Sequence, residues 1–168
     1  MKPVSLDEIH ISNTLEPGDL GYIIHLHGKI YGKEYGYGPG FESYVASSLL
    51  EFYNNYQPHN NRVWICKHEK TMIGCLILMN RGEAAQLRYF IIEPAYRGIG
   101  LGKKLMELFM KFLKECNYRS SYLLTTGELK ASAYLYKSSG FTLTEEKASF
   151  DNFGKDVVEQ RYDLKIND

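Results

Sequence analysis

Neither an excess of one charge nor a long apolar run marks this sequence. Its 168 residues carry 20 Lys and Arg against 20 Asp and Glu, so no charge field points to nucleic acid or to an anionic membrane. No apolar stretch approaches a membrane span, and the first residues, Met1–Glu8, lack the apolar core of a secretory leader. The chain is expected in the cytoplasm, with neither nucleic acid nor membrane as partner. Three cysteines, Cys66, Cys75 and Cys116, supply neither a disulfide framework nor metal-ligand spacing, and reduced thiols in or near a core are expected. His25 and His27 have no ligating partner at a useful spacing, and side chains two apart on a helix diverge. They are taken as structural, and no metal is expected. With no repeat and no low-complexity tract, 168 residues fit a single domain, 1–168.

Glycine and tyrosine are plentiful instead. The run Arg97-Gly98-Ile99-Gly100-Leu101-Gly102-Lys103 follows an apolar stretch, Leu87–Ile92, stopped by Glu93-Pro94, and precedes an amphipathic helix. Glycines at a strand-to-helix junction let backbone approach a ligand, and the helix start offers free N–H groups and a positive dipole end. An anion site, for phosphate, is the reading; a glycine-rich turn without ligand is the alternative. The spacing is G-x-G-x-G, which departs from the dinucleotide fingerprint, and Lys104 stands where a nucleotide P-loop needs Ser or Thr. Of 14 tyrosines, Tyr22, Tyr31, Tyr35, Tyr37 and Tyr44 crowd the region before residue 45.

Periodicity and turn signals order the elements. A short strand over His10–Thr14 is followed by a helix from an N-capping Asp19 to about Tyr35, a Gly36–Gly40 break, and a second helix from Phe41 that ends by Pro58. Strands are expected over Val63–Lys67, Met72–Met79 and Ala84–Ile92, joined by short turns. The helix after the glycines places Leu105, Phe109, Phe112, Leu113 and Cys116 on one face. A strand at Tyr122–Thr126, a short helix at Leu129–Ser138 and strands at Phe141–Phe150 and Val157–Leu164 complete the chain.

Arg97, Gly100 and Gly102 resemble the pyrophosphate loop, Arg/Gln-x-x-Gly-x-Gly/Ala, of the GNAT superfamily of N-acetyltransferases. Ala133-Tyr134-Leu135-Tyr136-Lys137-Ser138-Ser139-Gly140-Phe141 resembles that family's A-x-x-Y-x-x-x-G-F element. The resemblance in element order runs from about residue 9 to 165. It implies a mixed α/β (α+β) fold with a mostly antiparallel sheet of about seven strands and about four helices, splayed between the fourth and fifth strands. A closer likeness, to acetyltransferase domains fused behind bacterial repressors of the multiple-antibiotic-resistance type, rests on Gly18–Tyr22, His27-Gly28, Tyr31, Glu34–Tyr37, Phe153-Gly154 and Val158–Gln160. It implies a subgroup and no regulatory role.

By this resemblance acetyl-CoA is the cosubstrate. Backbone N–H groups of Arg97, Gly98, Ile99, Gly100, Leu101, Gly102 and Lys103 would hold its pyrophosphate, and a bulged strand at Phe90, Ile91 and Ile92 would pair with its pantetheine. Ile92 N–H would serve the carbonyl oxygen. Tyr136, on one helix face with Leu129 and Ala133, would donate a proton to the departing thiolate; as a residue alone it also suits a core aromatic. Where some relatives keep a carboxylate base this chain has Gln86, and Glu34 is a substitute base or else a solvated helix glutamate. Tyr31, Tyr35, Tyr37 and Gln86 would form the acceptor pocket, or the tyrosines simply pack a helix-to-helix turn. The expected activity moves an acetyl group to a primary amine, a small molecule before a protein, by direct attack in a ternary complex. A non-catalytic acyl-CoA-binding domain is the alternative, and the resemblance leaves room for a homodimer.

Overall fold

Eight of the eleven positions of the second long strand are consecutively buried, which a strand achieves only when both faces are covered. The computed structural model, which describes residues 4–166, places that strand in the middle of a seven-stranded sheet. Residues 1–3 and 167–168, the ends of the expected 1–168 domain, lie outside the described residues.

The strands are β1 (Ile9–Ser12), β2 (Arg62–His68), β3 (Thr71–Arg81), β4 (Ala84–Ile92), β5 (Ser120–Thr126), β6 (Thr142–Asn152) and β7 (Lys155–Lys165). The helices are α1 (Asp19–Tyr35), α2 (Pro39–Asn54), α3 (Leu101–Glu115) and α4 (Lys130–Ser138). The sheet order is β1-β2-β3-β4-β5-β7-β6, antiparallel throughout except for the parallel β4/β5 pair. The element order read from sequence is the observed one.

Each face of the sheet carries its own core. Leu101, Leu105, Met106, Phe109, Phe112 and Leu113 of α3 recur at helical spacing and bury against Trp64, Leu76, Leu78, Ala85 and Leu87. On the other face Ile23, Leu26 and Ile30 of α1 and Val45, Leu49 and Phe52 of α2 cover Val63, Ile65, Cys75, Ile77, Tyr89 and Ile91. In β4, Ala85 and Leu87 thus face α3, whereas Tyr89 and Ile91 face α1 and α2. Strict alternation would put all four on one face. The switch is a bulge: β4 pairs Arg88 with Ile77 and Ile91 with Cys75, so Tyr89 and Phe90 together oppose Leu76, and Tyr89 takes φ 51°.

Pairing between β4 and β5 is confined to Ala84, Ala85 and Gln86 against Ser120, Ser121 and Tyr122. β5 stays paired with β7 to its end, Thr126 against Glu159. From Leu87 onward β4 therefore diverges from β5 and leaves a wedge, the expected splay between the fourth and fifth strands.

Local details differ from the sequence reading. Gly18, left-handed at φ 97°, is the N-cap of α1, and Asp19 is its first residue. The Asp19 carboxylate accepts from Glu16 N–H at 2.8 Å and lies 3.4 Å from Lys67 Nζ, so it fastens the preceding turn to β2. The second helix begins two residues early, at Pro39, whose fixed φ suits a first turn. Cys116 caps α3 at its C-terminus, its thiol donating to His59 C=O at 3.3 Å.

At Gly74, where β3 and β4 come close, an added Cβ would lie 2.7 Å from Ile91 C=O and 3.2 Å from Ile92 Cα. Gly74→Ala is expected to cost about 1–3 kcal/mol by overpacking against backbone and to lower the unfolding midpoint by roughly 2–12 °C. An unchanged midpoint would show that the strands do not approach this closely.

Candidate active site

Two clefts open into the wedge. The first, about 440 Å³, is bounded by Ile30, Tyr31 and Tyr35 of α1, Phe90–Ile92 of β4, the Arg97–Lys103 turn, and Ala131, Ser132, Tyr134 and Leu135 of α4. The second, about 410 Å³, lies beneath the β6/β7 hairpin and is lined among others by His27, Tyr31, Tyr37, Gln86, Arg88 and Tyr136. Tyr31, Phe90 and Leu129 line both. The clefts therefore meet beside the β4 bulge.

The glycine turn is built as an anion cradle. Gly98 (φ 80°) and Gly100 (φ 90°) are left-handed, a conformation that costs other residues strain. The first α3 hydrogen bond runs from Lys104 N–H to Gly100 C=O, and among the described residues the N–H groups of residues 98–103 donate to no backbone group. Six successive free donors at a helix N-terminus match a phosphate's acceptor oxygens and its charge. At Gly102 an added Cβ would stand 2.9 Å from Leu135 Cδ1 and 3.7 Å from Phe90 Cζ, filling the mouth of the cleft.

Beyond the bulge, Glu93 N–H donates to Ile73 C=O at 2.8 Å. Alternation along an antiparallel pair then turns Ile92 N–H and C=O away from β3, into the wedge. Arg97 Nε donates to that Ile92 C=O at 3.1 Å. The free Ile92 N–H is two residues past the bulge, whereas the sequence reading put it within.

Among the other expected site residues, Leu101 is buried in the core and Ile99 packs against it, and neither lines the cleft. Ala133 also packs on that core; its neighbours Ala131, Ser132, Tyr134 and Leu135 form the wall instead. Tyr35 lines the glycine-side cleft and Tyr37 the hairpin-side cleft. Glu34 lines neither: both of its carboxylate oxygens accept from Arg97, at 2.9 and 3.0 Å. Glu34, expected as a substitute base or a solvated helix glutamate, is thus held in an ion pair with Arg97. Gln86 sits at the last β4/β5 rung, buried, its Oε1 accepting from Arg81 Nε at 2.9 Å.

Tyr136 is 5% exposed, with Phe90, Phe141 and Tyr162 rings 5.9–6.3 Å away. Burial holds its phenol well above the ordinary tyrosine range, against a hydrogen bond with the Ser132 side chain that lowers it. Burial raises Tyr31 likewise, reinforced by the nearby Tyr136. Both hydroxyls therefore keep their protons through neutral pH.

Sequence reasoning missed His27, Arg88, Phe153 and Glu159 as lining residues, whereas Leu129, expected on the cofactor-facing side with Tyr136, lines both clefts. The hairpin tip reaches them across the chain: Phe153 C=O accepts from Gly38 N–H at 2.8 Å, and its ring packs on Phe41 and Tyr44 at 5.4 and 5.2 Å. Lys155 ties the same hairpin to Tyr35 C=O and to Glu128. A left-handed Phe153-Gly154 pair closes the turn and was the only signal in the sequence. Among the described residues no group of three or more His, Cys, Asp or Glu is placed to hold a metal, and no helix is long and apolar enough to cross a membrane.

The model of the Acetyltransferase (GNAT) family matches residues 27–141. The uncharacterized N-acetyltransferase YjgM of Escherichia coli is 30% identical over 98 residues, 56% of this chain and 59% of that protein. A probable N-acetyltransferase 14 of Xenopus tropicalis is 25% identical over 59% of this chain and 50% of its own length. The chain thus matches between half and three-fifths of these curated relatives. Its fold is that of an acetyltransferase from Streptococcus agalactiae (TM-score 0.74, 21% identity, 96% of this chain and 100% of the other). It is equally that of a GNAT acetyltransferase from Elizabethkingia anophelis solved with acetyl-CoA bound (TM-score 0.65, 16% identity, 95% and 99%).

His27 carries a prediction of its own. Its Nδ1–H donates to Ile23 C=O at 2.8 Å, and burial lowers its pKa from 6.5 to about 4. The unfolded chain takes up this proton near 6.5 and the folded chain only near 4, so stability is full above 6.5 and falls as pH drops. The loss reaches roughly 3 kcal/mol by pH 4. Urea unfolding at pH 7 and pH 4.5 is expected to show a smaller acid loss in His27→Gln than in the natural protein; equal losses would remove the assignment.

Proposed function

Because the chain belongs to the acetyltransferase (GNAT) family, we propose that it moves an acetyl group from acetyl-CoA to the primary amine of a small molecule. The observation that carries this reading is the junction of the two clefts at Tyr31, Phe90 and Leu129, beside the protonated Tyr136. One cleft ends in six free N–H donors fit for a pyrophosphate, and the other is a tyrosine-rich chamber of about 410 Å³, a small-molecule size.

Acetyl-CoA, when bound, supplies the thioester that the amine attacks. The residues of this chain hold and protect that reaction. N–H groups 98–103 grip the pyrophosphate. Arg97 is oriented from behind by Glu34, which makes Glu34 a positioning residue. The wedge side of β4 offers Ile92 N–H as a donor, and Phe90, Ile92 and Leu135 wall the channel against water. Tyr136 gives its proton to the departing thiolate, whose pKa resembles that of a cysteine, about 8.5. No cysteine lines either cleft, which supports direct attack by the amine in a ternary complex over an acylated enzyme. Gln86, neutral and held by Arg81, takes no proton, so the amine gives up its own to solvent through the open cleft.

Of the residues that resemble repressor-fused acetyltransferase domains, His27, Tyr31, Tyr37, Phe153, Glu159 and Gln160 line this chamber, and we read that resemblance as one of the acceptor site.

Thiol release from acetyl-CoA with a panel of amines tests the reading. Tyr136→Phe keeps the ring packing and removes the donor; it is expected to lower kcat about 10- to 100-fold while the acetyl-CoA Kd stays within about twofold. Unchanged kcat would take Tyr136 out of the mechanism.

A further inference from the structure

The acceptor chamber holds two half-buried charges of opposite sign, neither with an opposite charge within ion-pair distance among the described residues. Arg88, on β4 just before the bulge, donates to two neutral oxygens, Tyr44 Oη at 2.9 Å and Ser48 Oγ at 3.2 Å. Its guanidinium carbon lies 4.9 and 5.6 Å from the Tyr89 and Tyr44 ring centres. Among the described residues no carboxylate is within ion-pair distance of it. Arg161, the other half-buried arginine of the chamber, is neutralised by a two-pronged pair with Asp163, 2.8 Å in both bonds. Across the chamber Glu159, on β7, accepts from Asn152 Nδ2 at 2.8 Å and meets no cation within ion-pair distance among the described residues. The remaining charged lining residues, Glu145 and Lys147, stand opposite Arg161 and Glu159 on the β6/β7 ladder, where both are exposed and neither closes to ion-pair distance.

We infer that the acceptor is a zwitterion, a small primary amine that also carries a carboxylate, with Arg88 holding the carboxylate and Glu159 drawing in the ammonium end. This rests on the acetyltransferase reading above and specifies its substrate class. A half-buried guanidinium served only by hydroxyls retains directed N–H donors, and a carboxylate is the partner whose two oxygens match them. Tyr44 and Ser48 fix its orientation from behind, which lowers the ordering cost of binding. The polarity also runs the right way. Glu159 pairs with Thr126 at the end of β5, next to the Gly127–Leu129 turn that leads to the junction of the clefts. An ammonium drawn there stands beside the thioester site. Transfer forms the N–C bond of the amide and breaks the C–S bond of the thioester; the ammonium nitrogen gives up two protons to solvent, one before attack and one after, and the sulfur takes a proton from Tyr136, which regains one from solvent.

Two readouts on the natural protein test the inference. In the first, thermal shift and NMR saturation measure binding, without acetyl-CoA, of common amino acids, β-alanine and γ-aminobutyrate, each beside its primary amide and its decarboxylated amine. The second measures thiol release from acetyl-CoA with the same sets. At least one acid is expected to bind and to turn over with kcat/KM about 10- to 100-fold above its amide, as loss of a charge-assisted hydrogen bond implies. Arg88→Gln should bring acid and amide to within about twofold. Glu159→Gln should raise KM and leave the acid preference intact. Amides or plain amines that bind and react as well as the acids, or an acid preference that survives Arg88→Gln, would overturn the inference and leave the acetyltransferase reading standing. Acids that bind in an Arg88-dependent way without any thiol release would uphold the zwitterion site and sink the acetyltransferase reading. Absence of both binding and release across the panel would overturn both.

Discussion

The parting of β4 from β5 after a single short run of pairing is the constraint on which the rest depends. Inside a sheet every backbone N–H and C=O needs a partner. Beyond Gln86 the groups of β4 on the β5 side have lost theirs, while β5 turns wholly to β7. The bulge at Tyr89 and Phe90 bends the strand away and switches its faces, so Tyr89 and Ile91 enter the α1/α2 core that Ala85 and Leu87 do not touch. A wedge lined with directed backbone groups results, with a hydrophobic core on either side to hold it open. A thioester-bearing arm is the natural occupant, because an extended chain with amide groups can use those donors and acceptors as a strand would.

Electrostatics divides the wedge into three regions. At one end, left-handed glycines and the start of α3 present N–H groups to an anion. In the middle, burial keeps Tyr31 and Tyr136 protonated and the site free of formal charge, which suits a step where a neutral amine attacks and a thiolate must be quenched. At the far end Arg88 and Glu159 bring opposite charges to one chamber. The α1–α2 joint, folded under the hairpin tip by Gly38 N–H to Phe153 C=O, encloses that end and joins the substrate chamber to the most distant part of the chain.

Much of this was legible in the sequence because it is local. The period of α3, the glycine turn and the short turns between successive strands depend on neighbours a few residues apart, and all appear where expected. What failed to show is set by residues far apart in the chain. Glu34 reads as a free helix glutamate until Arg97, 63 positions away, closes on both its oxygens. Ala133 shares a helix face with Tyr136 on a wheel, yet α4 is rotated so that Ala131, Ser132, Tyr134 and Leu135 meet the cleft. Asp19 looks like a cap because a lone sequence cannot tell that Gly18 adopts a left-handed turn first. Arg88 and Glu159 look like ordinary surface charges until the sheet order places β4 and β7 around one chamber.

The central claim, that the wedge and glycine turn form an acetyl-CoA site, is tested most directly by thermal unfolding with acetyl-CoA, ATP or NAD. At about 100 times its Kd a native-state ligand adds roughly 2.7 kcal/mol, which for a domain of this size raises the midpoint by roughly 5–10 °C. Such a rise with acetyl-CoA, and none with ATP or NAD at the same concentration, is the predicted result. No rise with millimolar acetyl-CoA on folded protein would contradict the account.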